Sequence, residues 1–112
     1  MKPIVIENSF IPKLIFWMPV KAITLVPFIF FRGKMDETAL THEKIHVPQY
    51  LELWVIGFPI IYFWDFLCAY WLLRNVQEAY RRIRLEQEAY DHQNDFDYPN
   101  KRAKFAWGKY KV

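Results

Sequence analysis

A chain of 112 residues with 54% apolar and 20% aromatic side chains has the length for one domain, 1–112, and too many rings to bury for general disorder. Its formal net charge of +3 comes from interspersed charges of both signs, with no long polybasic block, which argues against nucleic acid as a partner. The single cysteine, Cys68, excludes an internal disulfide and, lying in an apolar run, reads as a small buried hydrophobe rather than a metal ligand.

Residues 4 to 31 are rich in β-branched and aromatic side chains and are punctuated by Pro12, Pro19 and Pro27, which suits short strands better than a continuous helix. The best strand is Ala22 to Phe31. Arg32-Gly33-Lys34 then signals a turn, and Asp36 offers an N-cap for a helix through Thr38, Thr41 and His42-Glu43-Lys44-Ile45-His46. Lys2, Pro3, Glu7, Asn8, Pro12 and Lys13 interrupt the start of the chain, so no cleavable secretion signal is evident and the expected location is cytoplasmic or membrane-associated.

Two histidines four residues apart on a helix differ by roughly 40° around the axis and about 6 Å along it, so His42 and His46 can reach one ion from one face. Glu43 sits about 100° round the helix, free to act as a base beside that ion without ligating it. A solvated helix turn with two histidines by chance gives the same five letters. Pro48, inside the helix, is expected to kink it just after His46. Gln49 falls on the face of the histidine pair, where its amide meets a ligand, a water or a substrate carbonyl, or simply lies at the surface.

From Leu53 to Leu73 the chain carries one charge, Asp65, among eight aromatic rings. Twenty-one residues are long enough to span a bilayer, with arginines following, but Gly57, Pro59 and Asp65 fit a buried or peripheral helix as well. Membrane contact through residues 53–73 is therefore one expectation. The segment 75–90 is strongly helical by composition, with Leu72, Val76, Ala79, Ile83, Glu86 and Tyr90 as its inward row and Glu88 on the charged side with Arg81, Arg84 and His92.

A carboxylate on an apolar row needs a partner. An ion held by His42 and His46 would supply one for Glu86, and two imidazoles with one carboxylate leave a zinc ion a fourth, open position. An ion pair between Glu86 and Arg82, one turn earlier, is the alternative.

The stretches Thr41-His42-Glu43-Lys44-Ile45-His46-Val47-Pro48-Gln49 and Glu86-Gln87-Glu88-Ala89-Tyr90 resemble the H-E-x-x-H-x-x-Q and E-x-x-A helices of small gluzincin-type, zincin-like metallopeptidases of bacteria and their phages. The resemblance covers roughly residues 20 to 92. It implies an α+β fold, a short N-terminal sheet followed by a minimal helical core, with His42, His46 and Glu86 as zinc ligands and Glu43 as general base. The implied activity is hydrolysis of a peptide or protein substrate by metal-activated water. Tyr90, one turn after Glu86, and Arg82, one turn before it, are the candidates for stabilising the oxyanion.

The chain departs from the pattern at Tyr90, where related membrane-bound peptidases carry Asp, and at Pro48. Asp65 is a candidate replacement for that carboxylate, or a hydrogen-bond partner of a tyrosine or tryptophan. A non-catalytic structural or interaction protein, phage-derived or membrane-associated, stays open as the alternative function. The tail from Asn94 to Val112 interleaves basic and aromatic residues, a pattern that fits a terminal strand with solvated lysines or contact with anionic ligands.

Overall fold

The computed structural model describes residues 3–10 and 22–112. The strand-like stretch around Pro12 and Pro19 lies outside these residues. Three strands, β1 (Ile4–Ile6), β2 (Ala22–Leu25) and β3 (Phe28–Phe31), form a sheet in the order β1-β3-β2. β1 runs parallel to β3, with Ile4 opposite Phe28, while β2 and β3 pair antiparallel, Ala22 opposite Phe31 and Leu25 opposite Phe28. The one strand expected over Ala22 to Phe31 is thus a hairpin. Val26-Pro27 makes its turn, where the missing proline N–H costs the ladder nothing.

Helix α1 (Glu37–Glu52) starts as the sequence indicates: Asp36 has extended backbone and its carboxylate accepts from the Ala39 N–H at 2.8 Å. Glu37 in the first turn complements the helix dipole. The helix continues through Pro48 to Glu52, so Gln49 stays one turn beyond His46. Leu40 and Val47 pack on Ile29 and Phe31 of the sheet, Ile45 on Ala89 and Tyr98, and Tyr50 on Phe58, Ile83, Leu85 and Trp107. Because α1 is covered on several sides, it can bury polar side chains without spending a solvent-facing stripe on them.

The chain then turns through residues 53–56, with Trp54 and Val55 both left-handed at φ 59° and 63°, into α2 (Gly57–Leu73). No single helix among the described residues is long and apolar enough to cross a membrane, and α1 and α2 together are bent by 111°. The apolar run 53–73 is therefore a turn followed by a 17-residue helix, with Cys68 half-buried on it.

The segment 75–90 is two helices, α3 (Val76–Arg82) and α4 (Arg84–His92), not one. Nothing in its composition breaks it. Tertiary contacts do: Ile83 is wholly buried with extended backbone at ψ 127°, and the Arg84 N–H goes to Asp65 Oδ2 at 3.1 Å rather than back along a continuous helix. The inward row survives at Ala79, Ile83 and Glu86, whereas Leu72 is strongly exposed. Glu88, expected on the charged side, is fully buried because the break resets the phase of α4. The tail is a short helix α5 (Tyr98–Lys101) and a 3-10 turn (Ala106–Lys109) rather than a terminal strand. The whole is an α+β fold, as the sequence indicates.

Candidate metal centre

Helix α1 presents His42 and His46 on one face, and α4 lays Glu86 across them, all three buried. Glu86 Oε1 lies 2.9 Å from His42 Nε2 and 3.4 Å from His46 Nε2. One ligand atom from each residue falls within 4.8 Å of the others, so the group could hold a metal ion.

Each imidazole is fixed from behind. His42 Nδ1 lies 2.9 Å from the amide oxygen of Gln93, and His46 Nδ1 lies 2.7 Å from that of Gln49. The Gln49 nitrogen is committed to two acceptors, so its oxygen faces His46, whose Nδ1 carries the proton and leaves Nε2 for an ion or, without one, for a second proton shared with Glu86. This back-bonding is the arrangement that orients histidine ligands in metal sites. Of the two alternatives the sequence leaves open for Gln49, a hydrogen bond to a ligand or a place at the surface, the structure shows the first: it is wholly buried and its amide oxygen meets His46 Nδ1.

Burial alone would neutralise this cluster, and its charges overcome that. Burial disfavours the Glu86 carboxylate, but the charge of His46 and hydrogen bonds from both imidazoles hold it well below the usual carboxylate range. Burial likewise works against a charged His46, yet Glu86 beside it pushes it up to about 9. Tyr62 donates to the second oxygen, Glu86 Oε2, at 2.6 Å. Among the described residues Glu86 is thus partnered by the two histidines and Tyr62, and the alternative partner Arg82 is exposed.

Glu43 stands beside this group, its Oε2 3.9 Å from His42 Nε2 and its Oε1 accepting from the Thr24 hydroxyl at 2.9 Å. Burial raises its pKa, and the neighbouring histidines only partly offset that. Glu43 also borders two cavities. One, about 390 Å³, is apolar and bounded by Tyr50, Phe58, Tyr62, Phe63 and Phe66, with His46 and Glu86 in its wall. The other, about 860 Å³, is bounded by His42, Arg81, Arg82, Tyr90 and Gln93.

Tyr90 and Arg82 therefore share the larger cavity, and the Tyr90 ring lies edge-on to His42 at 4.5 Å between centroids. Asp65 lies elsewhere. Its carboxylate takes two hydrogen bonds from the Arg84 side chain, at 2.9 and 3.0 Å, and among the described residues no hydrogen bond joins it to a histidine, tyrosine or tryptophan. Its contribution is to pin the start of α4 and hence Glu86.

A second buried network supports Gln49. Its amide nitrogen donates to the Leu85 carbonyl at 3.0 Å and to Glu88 Oε1 at 2.9 Å. Glu88 in turn receives Tyr98 Oη and both Nε and Nη2 of Arg102, and Arg102 reaches back to Glu52 at the end of α1. Burial opposes a charged Glu88, but the Arg102 guanidinium holds its pKa low. Thr24, Tyr62, Glu88 and Gln93 were not among the sequence candidates. Only Gln93, one turn past Tyr90, left a signal: seven residues beyond Glu86, it shares that residue's side of the helix.

Comparison with protein-family models, with curated proteins and with solved structures returns no significant match, so the centre stands on its own geometry.

Proposed function

We propose that this chain is a zinc-dependent peptidase, with His42, His46 and Glu86 holding the ion and Glu43 acting as general base. The observation that carries this is the division of labour among four buried groups. Three converge within ligand distance of one another, while the fourth, Glu43, is held apart by Thr24 at the junction of two cavities. A purely structural site would need no carboxylate left over, and three protein donors with one open position is the catalytic pattern.

A bound zinc ion would supply Lewis acidity, lowering the pKa of water to about 7 and polarising a substrate carbonyl. Glu43, with its pKa raised by burial, is suited to take a proton and return it to the leaving amide nitrogen. The Thr24 hydroxyl keeps one carboxylate oxygen occupied, so the other is the one that exchanges the proton. Tyr90 and Arg82 border the cavity on the His42 side and are the proposed donors to the substrate's carbonyl oxygen.

A peptide is favoured over a small ester by β2. Among the described residues it is an edge strand, and Ala22, Ile23 and Thr24 line the apolar cavity, where an extended chain could lie alongside it. The test is metal content and turnover of a peptide library by the purified protein. His46→Ala should lose the metal, and Glu43→Gln should keep it while losing hydrolysis. Full activity in Glu43→Gln would sink the mechanism, and a protein whose fold and behaviour ignore a chelator would point instead to the non-catalytic alternative.

A further inference from the structure

We propose that the outer face of α2 docks the protein onto an anionic lipid bilayer, with the helix lying in the plane of the interface. At 100° per residue, Ile56, Ile60, Phe63, Trp64, Leu67 and Trp71 fall within an arc of about 100°. All six are exposed, Ile60 at 63%, Trp64 at 64% and Trp71 at 71%. The opposite face supplies the contacts to the protein, with Phe58, Asp65 and Ala69 buried. A continuous apolar stripe of this length facing outward is not what a self-contained small domain leaves exposed.

Several features choose lipid as the occupant. The stripe contains no charged residue, since the one acid of α2, Asp65, is buried on the other face and paired with Arg84. A protein partner would normally be met by interspersed hydrogen-bonding groups, whereas a bilayer asks for none. Tryptophans stand along the stripe and at its approach, Trp54 being 88% exposed in the left-handed turn before α2, and indoles prefer the headgroup level. Val55, a β-branched residue in the same conformation, keeps that turn strained, so Trp54 and Ile56 are held outward at an energetic cost.

Charge fixes the kind of bilayer. Arg74 caps α2 and lies over Trp71 at 4.8 Å, and the following helix α3 carries Arg81 and Arg82 against the single acid Glu78. Arg74, over Trp71 at the end of α2, therefore sets positive charge beside an uncharged apolar stripe, whereas Arg81 and Arg82 border the cavity next to His42. An exposed apolar face bearing tryptophans, with a cation at its end, suits the interface of an anionic bilayer. The stripe is also continuous with the apolar cavity beside the metal centre, because exposed Phe63 belongs to both.

The test is flotation of the full chain with vesicles of phosphatidylcholine alone and of phosphatidylcholine mixed with phosphatidylglycerol. The protein should float with the mixed vesicles, more weakly with the neutral ones, and less as salt rises. Trp64→Gln with Trp71→Gln should keep the thermal transition, because both rings are exposed, and lose about tenfold or more in binding per ring. Glu43→Gln should bind vesicles as the unsubstituted protein does, which separates this proposal from the peptidase one. Absence of flotation, or unchanged binding by the double variant, would overturn it. So would a lipid-free dimer that the same two substitutions dissociate, since the face would then belong to a second copy.

Discussion

Gln49 holds His46 by one end of its amide and is itself held by the other: oxygen to Nδ1 at 2.7 Å, nitrogen to the Leu85 carbonyl and Glu88. Gln93 meets His42 Nδ1 through its amide oxygen at 2.9 Å, from a half-buried position at the end of α4. Removing such supports typically weakens metal binding by about 10- to 100-fold. Gln49→Leu should show that loss together with about 1–3 kcal/mol of destabilisation, because it strands buried groups on three sides. Gln93→Ala should weaken metal binding while staying within about 0.5 kcal/mol in stability, since water can replace a half-exposed amide. Competition titration with a chromophoric chelator and urea unfolding measure the two quantities separately.

Metal binding should release a proton from His46. In the metal-free protein its pKa is about 9, so near pH 7 the ring is charged and an incoming ion must displace a proton. Apparent affinity should then climb about tenfold per pH unit and level off near the raised pKa. Calorimetry in buffers of different ionisation enthalpy counts the proton. Stability of the metal-free form has the opposite slope at the alkaline end. The contribution of His46 is complete below its unfolded value of 6.5 and disappears as pH rises through about 9. Glu86, with a lowered pKa, contributes fully above its unfolded value of 4.5 and loses that contribution in acid. Urea midpoints of chelated protein should therefore peak between these values.

How much of this was legible in the chain depends on whether each contact is local. The histidine pair, Glu43 and the Asp36 cap follow from spacing within one helix, and Glu86 was marked as the lone acid of an apolar row. The break at Ile83 carries no glycine or proline to announce it. Its cause is a carboxylate 19 positions away, on α2, that takes the Arg84 N–H. A continuous helix consequently put Glu88 on the solvent side and hid the network behind Gln49. The hairpin was half legible, since Pro27 was visible as punctuation but the β-branched and aromatic residues on both sides suggested one strand.

Arg102 offers a sharper test of that hidden network. Its guanidinium is buried between Glu88 and Glu52, so Arg102→Met should leave two acids unneutralised and destabilise the fold by about 3–5 kcal/mol. Adding Glu88→Gln and Glu52→Gln should recover part of the loss. Thermal unfolding of the single and triple variants checks both statements, and no recovery would mean that Arg102 acts by packing alone.

Val55 sits at φ 63° in the turn between α1 and α2, a conformation costing a side-chain-bearing residue about 1–2 kcal/mol. Val55→Gly should remove that strain at some cost in unfolded-chain entropy, for a net gain of up to about 1 kcal/mol. Urea unfolding reads the sign. A loss would show that the valine side chain contributes more by contact than its backbone costs.

The interruption at Ile83 also decides how this protein can change over evolutionary time. Because α3 ends there and α4 is anchored separately through Asp65, residues can be added to or lost from α3 without rotating the donor set. One residue inserted between Glu86 and Gln93 would instead turn them about 100° apart and uncouple a ligand from the support of its neighbour. Helix α3, which borders the larger cavity, is thus the part of the molecule whose length can change without disturbing the His42, His46 and Glu86 group, while α4 is fixed in register.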